Sequence, residues 1–263
     1  MKNLRTYGQA PYRVAVVHGG PGAAGEMAPV AREIASACSV LEPLQAATSL
    51  HGQIEELRAV LEQYGNPPLD LIGFSWGAWL SFIFAAHYPD AVEKLILVGS
   101  GPYEAKYAAR IEETRFNRLN EKGKGEFNSL VQILESPENK DKRAAFSRLG
   151  ALLSKTDAYD PMTTEAEEID FQPEIFHKVW KEAAEFRRSG ELLQLGKRIQ
   201  CPVVAVHGDW DPHPAEGVQA PLSAVLSDFR FIPLKNCGHR PWIERQARDE
   251  FYAVLREELR HTN

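Results

Sequence analysis

Apolar and polar positions along the first hundred residues alternate between two rhythms. Arg13 to Val17, Leu69 to Phe74 and Lys94 to Val98 are short β-rich or apolar stretches of strand length, with a weaker extended segment at Ser39 to Leu44. Between them lie stretches of helical spacing. Met27 to Ala37 is one, and Ile54, Leu57, Leu61 and Tyr64 mark another, with Glu55, Glu56 and Arg58 on its opposite face. Pro67-Pro68 closes that second helix, and Trp76 to Tyr88 reads as a third. Strands separated by helices of about a dozen residues predict a parallel sheet with crossover helices. The nearly continuous apolar character of Leu95–Val98 and Val203–Val206 agrees, because parallel strands are covered on both faces.

From Glu104 to Leu195 the pattern changes. Charged residues crowd the segment, strand-like runs vanish, and helical sets such as Phe116 with Leu119, or Phe176, Val179 and Trp180, take over. Strand character returns at Cys201 to His207 and Phe229 to Leu234, and Trp242 to Leu259 reads as a terminal helix. The predicted architecture is α/β: a mostly parallel central sheet flanked by helices, built from residues 1–100 and 200–263, with a helical insertion over 101–199. Few residues precede Arg13, so no leading antiparallel hairpin is expected and about six strands result.

Composition narrows the partners. Of 263 residues, 44% are hydrophobic, enough for a sizeable core, and the net charge of −6 lacks the basic footprint of a nucleic-acid binder. No apolar run is long enough for a membrane span or an export signal, so a cytoplasmic protein without a membrane partner is expected. Three cysteines without a C-x-x-C pair suggest reduced thiols and no zinc site. Cys201 and Cys237 fall at opposite ends of neighbouring parallel strands, too far apart to bridge.

The chemistry gathers at strand ends. Gly73-Phe74-Ser75-Trp76-Gly77 fits G-x-S-x-G between a predicted strand and a predicted helix. A nucleophile on so sharp a turn requires glycines on both sides, and the helix start beside it favours developing negative charge. After the first strong strand comes His18-Gly19-Gly20-Pro21-Gly22, a loop whose backbone can approach a substrate. Gly20 and Trp76 N–H groups are the candidate oxyanion donors. A phosphate-binding loop fits poorly, since G-x-G-x-x-G and the P-loop lysine are both missing and Pro21 lacks an N–H. Serine needs a base and the base needs a carboxylate. His239 follows the last strand, with His213 a weaker rival because it lies so close in sequence to the acid turn. Asp209 and Asp211 both follow the penultimate strand. The order Ser75, acid, His239, each at the C-terminal end of a strand, is that of a Ser-Asp-His hydrolase on an open sheet.

These motifs together resemble the α/β-hydrolase superfamily: the His-Gly-Gly-Pro-Gly loop, the Gly-Phe-Ser-Trp-Gly elbow, the His207-Gly208-Asp209-Trp210-Asp211 acid turn and the Cys237-Gly238-His239 base turn. The resemblance covers about 12–99 and 200–260, and the region between resembles the family's helical cap. It implies Ser75, Asp211 and His239 as the catalytic set, the last aspartate of the acid turn being the family's triad member. It also implies a small-molecule carboxylic ester or related acyl substrate, including thioesters, and no metal or organic cofactor. Serine at 75 argues against the epoxide hydrolases and haloalkane dehalogenases of this fold, which need aspartate there. His-Gly-Gly-Pro-Gly with Ser-Trp-Gly is similar to proline iminopeptidases, although Phe74 replaces their usual glycine. On that alternative the acidic run Glu165, Glu167, Glu168 and Asp170 would hold a substrate ammonium. A C–C bond hydrolase and a non-catalytic ligand-binding protein are further alternatives. Oligomeric state is left open by the sequence.

Overall fold

The computed structural model describes residues 3–136, 143–163 and 171–260. Seven strands form one sheet: β1 (Leu4–Tyr7), β2 (Tyr12–Val17), β3 (Val40–Pro43), β4 (Gly65–Phe74), β5 (Val92–Val98), β6 (Val203–Gly208) and β7 (Phe229–Leu234), in the order β1-β3-β2-β4-β5-β6-β7. All pairings are parallel except β1 with β3. The count of about six is therefore corrected to seven. The extra strand escaped the sequence pattern because Leu-Arg-Thr-Tyr buries only Leu4 fully, with Tyr7 partly buried at its other end. Its other supports are a backbone ladder to β3 and the buried Glu42, which accepts from the Tyr7 hydroxyl at 2.7 Å and lies 3.7 Å from Arg5.

The crossover helices are α1 (Ala28–Ile34), α2 (Leu50–Tyr64) and α3 (Trp76–His87). Ser49 caps α2, its side chain accepting from the Gly52 N–H at 3.1 Å. Alternation along the strands sends neighbours to opposite faces. Leu71, Leu95, Leu97 and Ala205 pack with α2 and α3, while Ile72, Ile96, Val98 and Val206 pack against α1 and the last helix, α10 (Arg248–Glu258). Both faces are covered, so both sets are apolar. Each large side chain buried this way contributes roughly 1.5–3 kcal/mol.

Between β5 and β6 the regular elements among the described residues are helices: α4 (Ala105–Arg118), α5 (Glu121–Glu135), α6 (Arg143–Thr156), α7 (Pro173–Arg188) and the short α8 (Glu191–Gln194). α9 (Glu216–Val225) joins β6 to β7. The terminal helix starts later than its apolar pattern suggests. Trp242 sits in a 3₁₀ turn, Pro241–Ile243, and residues 244–247 connect it to α10. The interruption has a cause: the fully buried Glu244 carboxylate faces backbone N–H groups instead of solvent. It accepts from Gly238 at 3.0 Å, Tyr159 at 2.9 Å and Asp160 at 2.8 Å. Among the described residues no helix is long and apolar enough to cross a membrane.

Candidate active site

The elbow begins where β4 ends. Ser75 has φ 51° and ψ −110°, a backbone strain of order 1–3 kcal/mol that only a well-packed surround maintains. That surround is tight. A Cβ on Gly73 would lie 2.2 Å from the Gly77 carbonyl oxygen, and one on Gly77 would lie 2.3 Å from that of Val17. The second contact presses the start of α3 against the end of β2, which brings the serine next to the His18–Gly22 loop. Ser75 N–H donates to Val98 O at 2.9 Å and ties the elbow to β5.

The loop after β2 is held by His18. Its Nδ1–H donates to Gly19 O at 2.7 Å, and its Nε2 accepts from the Gln45 N–H at 3.3 Å. Complete burial drives its pKa down to about 4, so the ring stays neutral and in the one tautomer that serves both bonds. Gly20, at φ 36°, turns the chain, and its carbonyl accepts from Ala23 N–H at 2.9 Å. Trp76 is the first residue of α3, where backbone N–H groups lack intrahelical acceptors. The Trp76 side chain points into the core and donates to Gln53 Oε1 at 3.2 Å.

Asp211 and His239 meet across the ends of β6 and β7. His239 Nδ1 donates to Asp211 Oδ2 at 2.7 Å. The competing Asp209 has a different partner: its Oδ1 accepts the Cys237 N–H at 3.2 Å and shapes the loop that carries His239. His213, which the sequence offered as a weaker rival base, occupies the other side of the same carboxylate. Its Nδ1 donates to Asp211 Oδ1 at 2.7 Å, its backbone N–H donates there at 2.9 Å, and its ring stacks on His239 at 4.4 Å. His207 Nε2–H donates to His213 O at 2.8 Å from below.

One buried carboxylate thus faces three imidazoles. Burial by itself would raise the Asp211 pKa, but charge on His239, His213 and His207 holds it well below the usual carboxylate range. For His239, burial works downward and is outweighed by the Asp211 charge and hydrogen bond, which leave its pKa above the ordinary histidine value. For His213, burial dominates despite Asp211, and charge on His239 adds to it, giving about 4. The Asp211 charge therefore favours the protonated form of His239 more than that of His213. Asp211, His213 and His239 are also the one group among the described residues with three metal-capable ligand atoms within 4.8 Å of one another. The Nδ1 protons already satisfy the carboxylate, so the hydrogen bonds account for this cluster without an ion.

Ser75, His239 and Gly20 line one cavity of about 560 Å³. Asp211 lies behind His239, outside the lining. The cavity roof comes from α6 and the start of α7, with Phe146, Phe171 and Phe176 in mutual ring contact at 5.4–5.8 Å. Its polar wall contains four charged residues that no motif announced: Glu26, Arg115, Asp157 and Arg240. Arg115 grips Asp157 with two bonds, 2.8 and 2.6 Å. The tryptophans near the motifs in sequence stay out of the cavity lining. Trp79 stacks on Trp180, Trp210 lies under Arg118, and Trp242 packs edge-on to Phe74. Only the adjacency of Arg240 to His239 could have pointed to any of the four charges. Glu165, Glu167, Glu168 and Asp170 lie outside the described residues.

A family model described as "alpha/beta hydrolase fold" matches residues 47–245. No protein of curated function matches the chain by sequence. Among solved structures, VinJ superposes with a TM-score of 0.71 at 18% identity, covering 98% of this chain and 94% of that one. A putative lipase from Acinetobacter baumannii AYE gives 0.65 at 18% identity, with 100% and 90% covered. A thermophilic esterase from Thermogutta terrifontis gives 0.63 at 18% identity, with 98% and 92% covered. At such identities the likeness is one of fold.

Proposed function

The chain belongs to the α/β hydrolase fold family, and from that premise we propose that it is a serine hydrolase acting on a small carboxylic ester or related acyl compound. The observation that carries the reading is the 2.7 Å bond from His239 Nδ1 to the buried Asp211, with His239 and the strained Ser75 in one cavity. Ser75 Oγ attacks the carbonyl while His239 Nε2 takes its proton. Asp211 fixes the tautomer that leaves Nε2 free and stabilises the imidazolium that forms. The Gly20 and Trp76 N–H groups hold the oxyanion, each worth about 2.7–4 kcal/mol in the transition state. His239 then protonates the leaving group, and a water molecule repeats the sequence on the acyl-serine to release the acid. The chain's own residues supply every proton transfer.

Residues 101–199 act in this reading as a cap over the reacting atoms, and the Phe146, Phe171 and Phe176 cluster favours an apolar portion of substrate. A lipase- or esterase-like chemistry fits the neighbours' names. An iminopeptidase reading would need an ammonium site, and its proposed residues lie outside the described ones.

A fluorophosphonate reacts with a serine only where a base and oxyanion donors activate it. Peptide mass spectrometry of the treated protein is expected to find a single adduct, on Ser75, and none in His239→Ala. Labelling elsewhere, or none on folded protein even with a smaller activated acyl reagent, would remove the assignment.

The pH profile follows from the sign of the His239 shift. Catalysis needs the neutral imidazole, and the Asp211 charge favours the protonated one. Ester kcat/KM should therefore rise with pH along a single acid limb whose midpoint lies above the ordinary histidine value of about 6.5. A midpoint below that value would mean that Asp211 does not act on the base.

A further inference from the structure

We infer that Arg240 forms a carboxylate-binding subsite inside the cavity, so that the preferred substrate is an anionic ester bearing a free carboxylate. The inference rests on the reading of Ser75 as nucleophile.

The four charged residues of the cavity wall are not equivalent. Arg115 and Asp157 neutralise each other through two short bonds. Arg240 follows the proposed base directly and has no ion pair within 4.0 Å among the described residues; its one side-chain bond is from Nη2 to Ser154 Oγ at 2.7 Å. A guanidinium has five N–H donors and does not deprotonate. Most of its donor capacity is therefore unfilled, and the charge is permanent. Around it the cavity is largely aromatic and aliphatic, with Phe74, Phe146, Leu149 and Leu153 on its walls. A cation in such surroundings gains most from an anionic partner that arrives with the ligand, and a carboxylate matches its fork with two bonds.

Glu26 lines the same cavity. Its carboxyl group lies close to Gly19, where an added Cβ would meet Oε2 at 2.6 Å, and accepts no hydrogen bond among the described residues. Burial pushes its pKa up, against the pull of Arg240 and His239. A carboxyl group whose charge burial disfavours competes less with an incoming carboxylate for Arg240. An ammonium-bearing substrate would face Arg240 as a like charge.

The test compares matched esters on the full-length protein. One pair is mono-p-nitrophenyl glutarate against p-nitrophenyl pentanoate, with the carboxylate on the acyl side. The other is para-butyryloxybenzoate against its methyl ester, with the carboxylate on the alcohol side. The p-nitrophenyl ester of aminohexanoate supplies the cationic case. At least one anionic ester is expected to exceed its neutral partner in kcat/KM. Arg240→Gln should lower that ratio by about tenfold to a hundredfold, and Arg240→Lys should restore part of it. Taking the ratio removes any effect on the neighbouring base. Fluorophosphonate labelling of Ser75 with no preference in either pair would overturn the subsite and leave the serine hydrolase reading intact. A preference for the cationic ester would also overturn it, and would make Arg240 the counter-ion of an ionised Glu26. Absence of both labelling and turnover would strike at the hydrolase reading, and the subsite would fall with it.

Discussion

Ser75→Ala is expected to reduce turnover of an activated ester by roughly 10⁵- to 10⁶-fold, while thermal unfolding shifts by no more than about 2 °C. The two readouts separate chemistry from architecture. Alanine keeps the Cβ that the left-handed backbone at φ 51° already accommodates, so the elbow, its bond to Val98 and the packing of α3 on β2 all persist. The hydroxyl is what disappears, and no hydrogen bond among the described residues depends on it. Activity within tenfold of the parent would mean that another group performs the attack. A large fall in melting temperature would instead give the serine a structural role.

Asp211→Asn carries the second large effect, about 10⁴-fold in kcat, and the surroundings of Asp211 dictate why it should be complete. An asparagine has one oxygen for the positions of two. Oδ1 receives two donors, the His213 backbone N–H at 2.9 Å and His213 Nδ1 at 2.7 Å, while Oδ2 receives His239 at 2.7 Å. The amide oxygen therefore takes the Oδ1 place, and the NH₂ group turns toward His239. That imidazole must then present Nδ1 as acceptor and carry its proton on Nε2, where it cannot take the serine proton. Loss of the aspartate charge also removes what holds the His239 pKa up. The residual activity should show an acid limb moved to lower pH. Kinetics of the variant across pH would check both. A loss under tenfold, or an unmoved limb, would mean that Asp211 is not the partner of the base.

Much of the fold was legible because parallel strands buried on both faces need continuous apolar runs, and β2, β5 and β6 supply them. β1 was not, since an edge strand needs one buried side chain and a backbone ladder, neither of which leaves a pattern. The proposed acid and base turns could be picked out because each follows a predicted strand, Asp211 after β6 and His239 after β7. The charges of the cavity wall could not. Glu26 sits before α1, Arg115 on α4 and Asp157 just beyond α6, and only the folded chain brings them to one wall. His213 was visible, but its sharing of Asp211 depends on the two-residue return of the acid loop, which spacing alone does not fix.

The buried Glu244 has a consequence for anyone recombining this protein. Two of its N–H partners, Tyr159 and Asp160, join the segment leaving α6 to the loop after β7, the bond from Gly238 braces that loop itself, and His239 N–H adds a third tie between the segments, to Asp157 O at 2.8 Å. Residues 157–160 and 238–244 are therefore one mechanical piece although they are far apart in the chain. Transplanting the helical insertion from a relative would carry half of that joint and leave the other half behind, and His239 would lose its alignment even with Ser75, Asp211 and His239 all present. A working chimaera has to exchange both segments together, so the smallest transferable unit of specificity here is discontinuous.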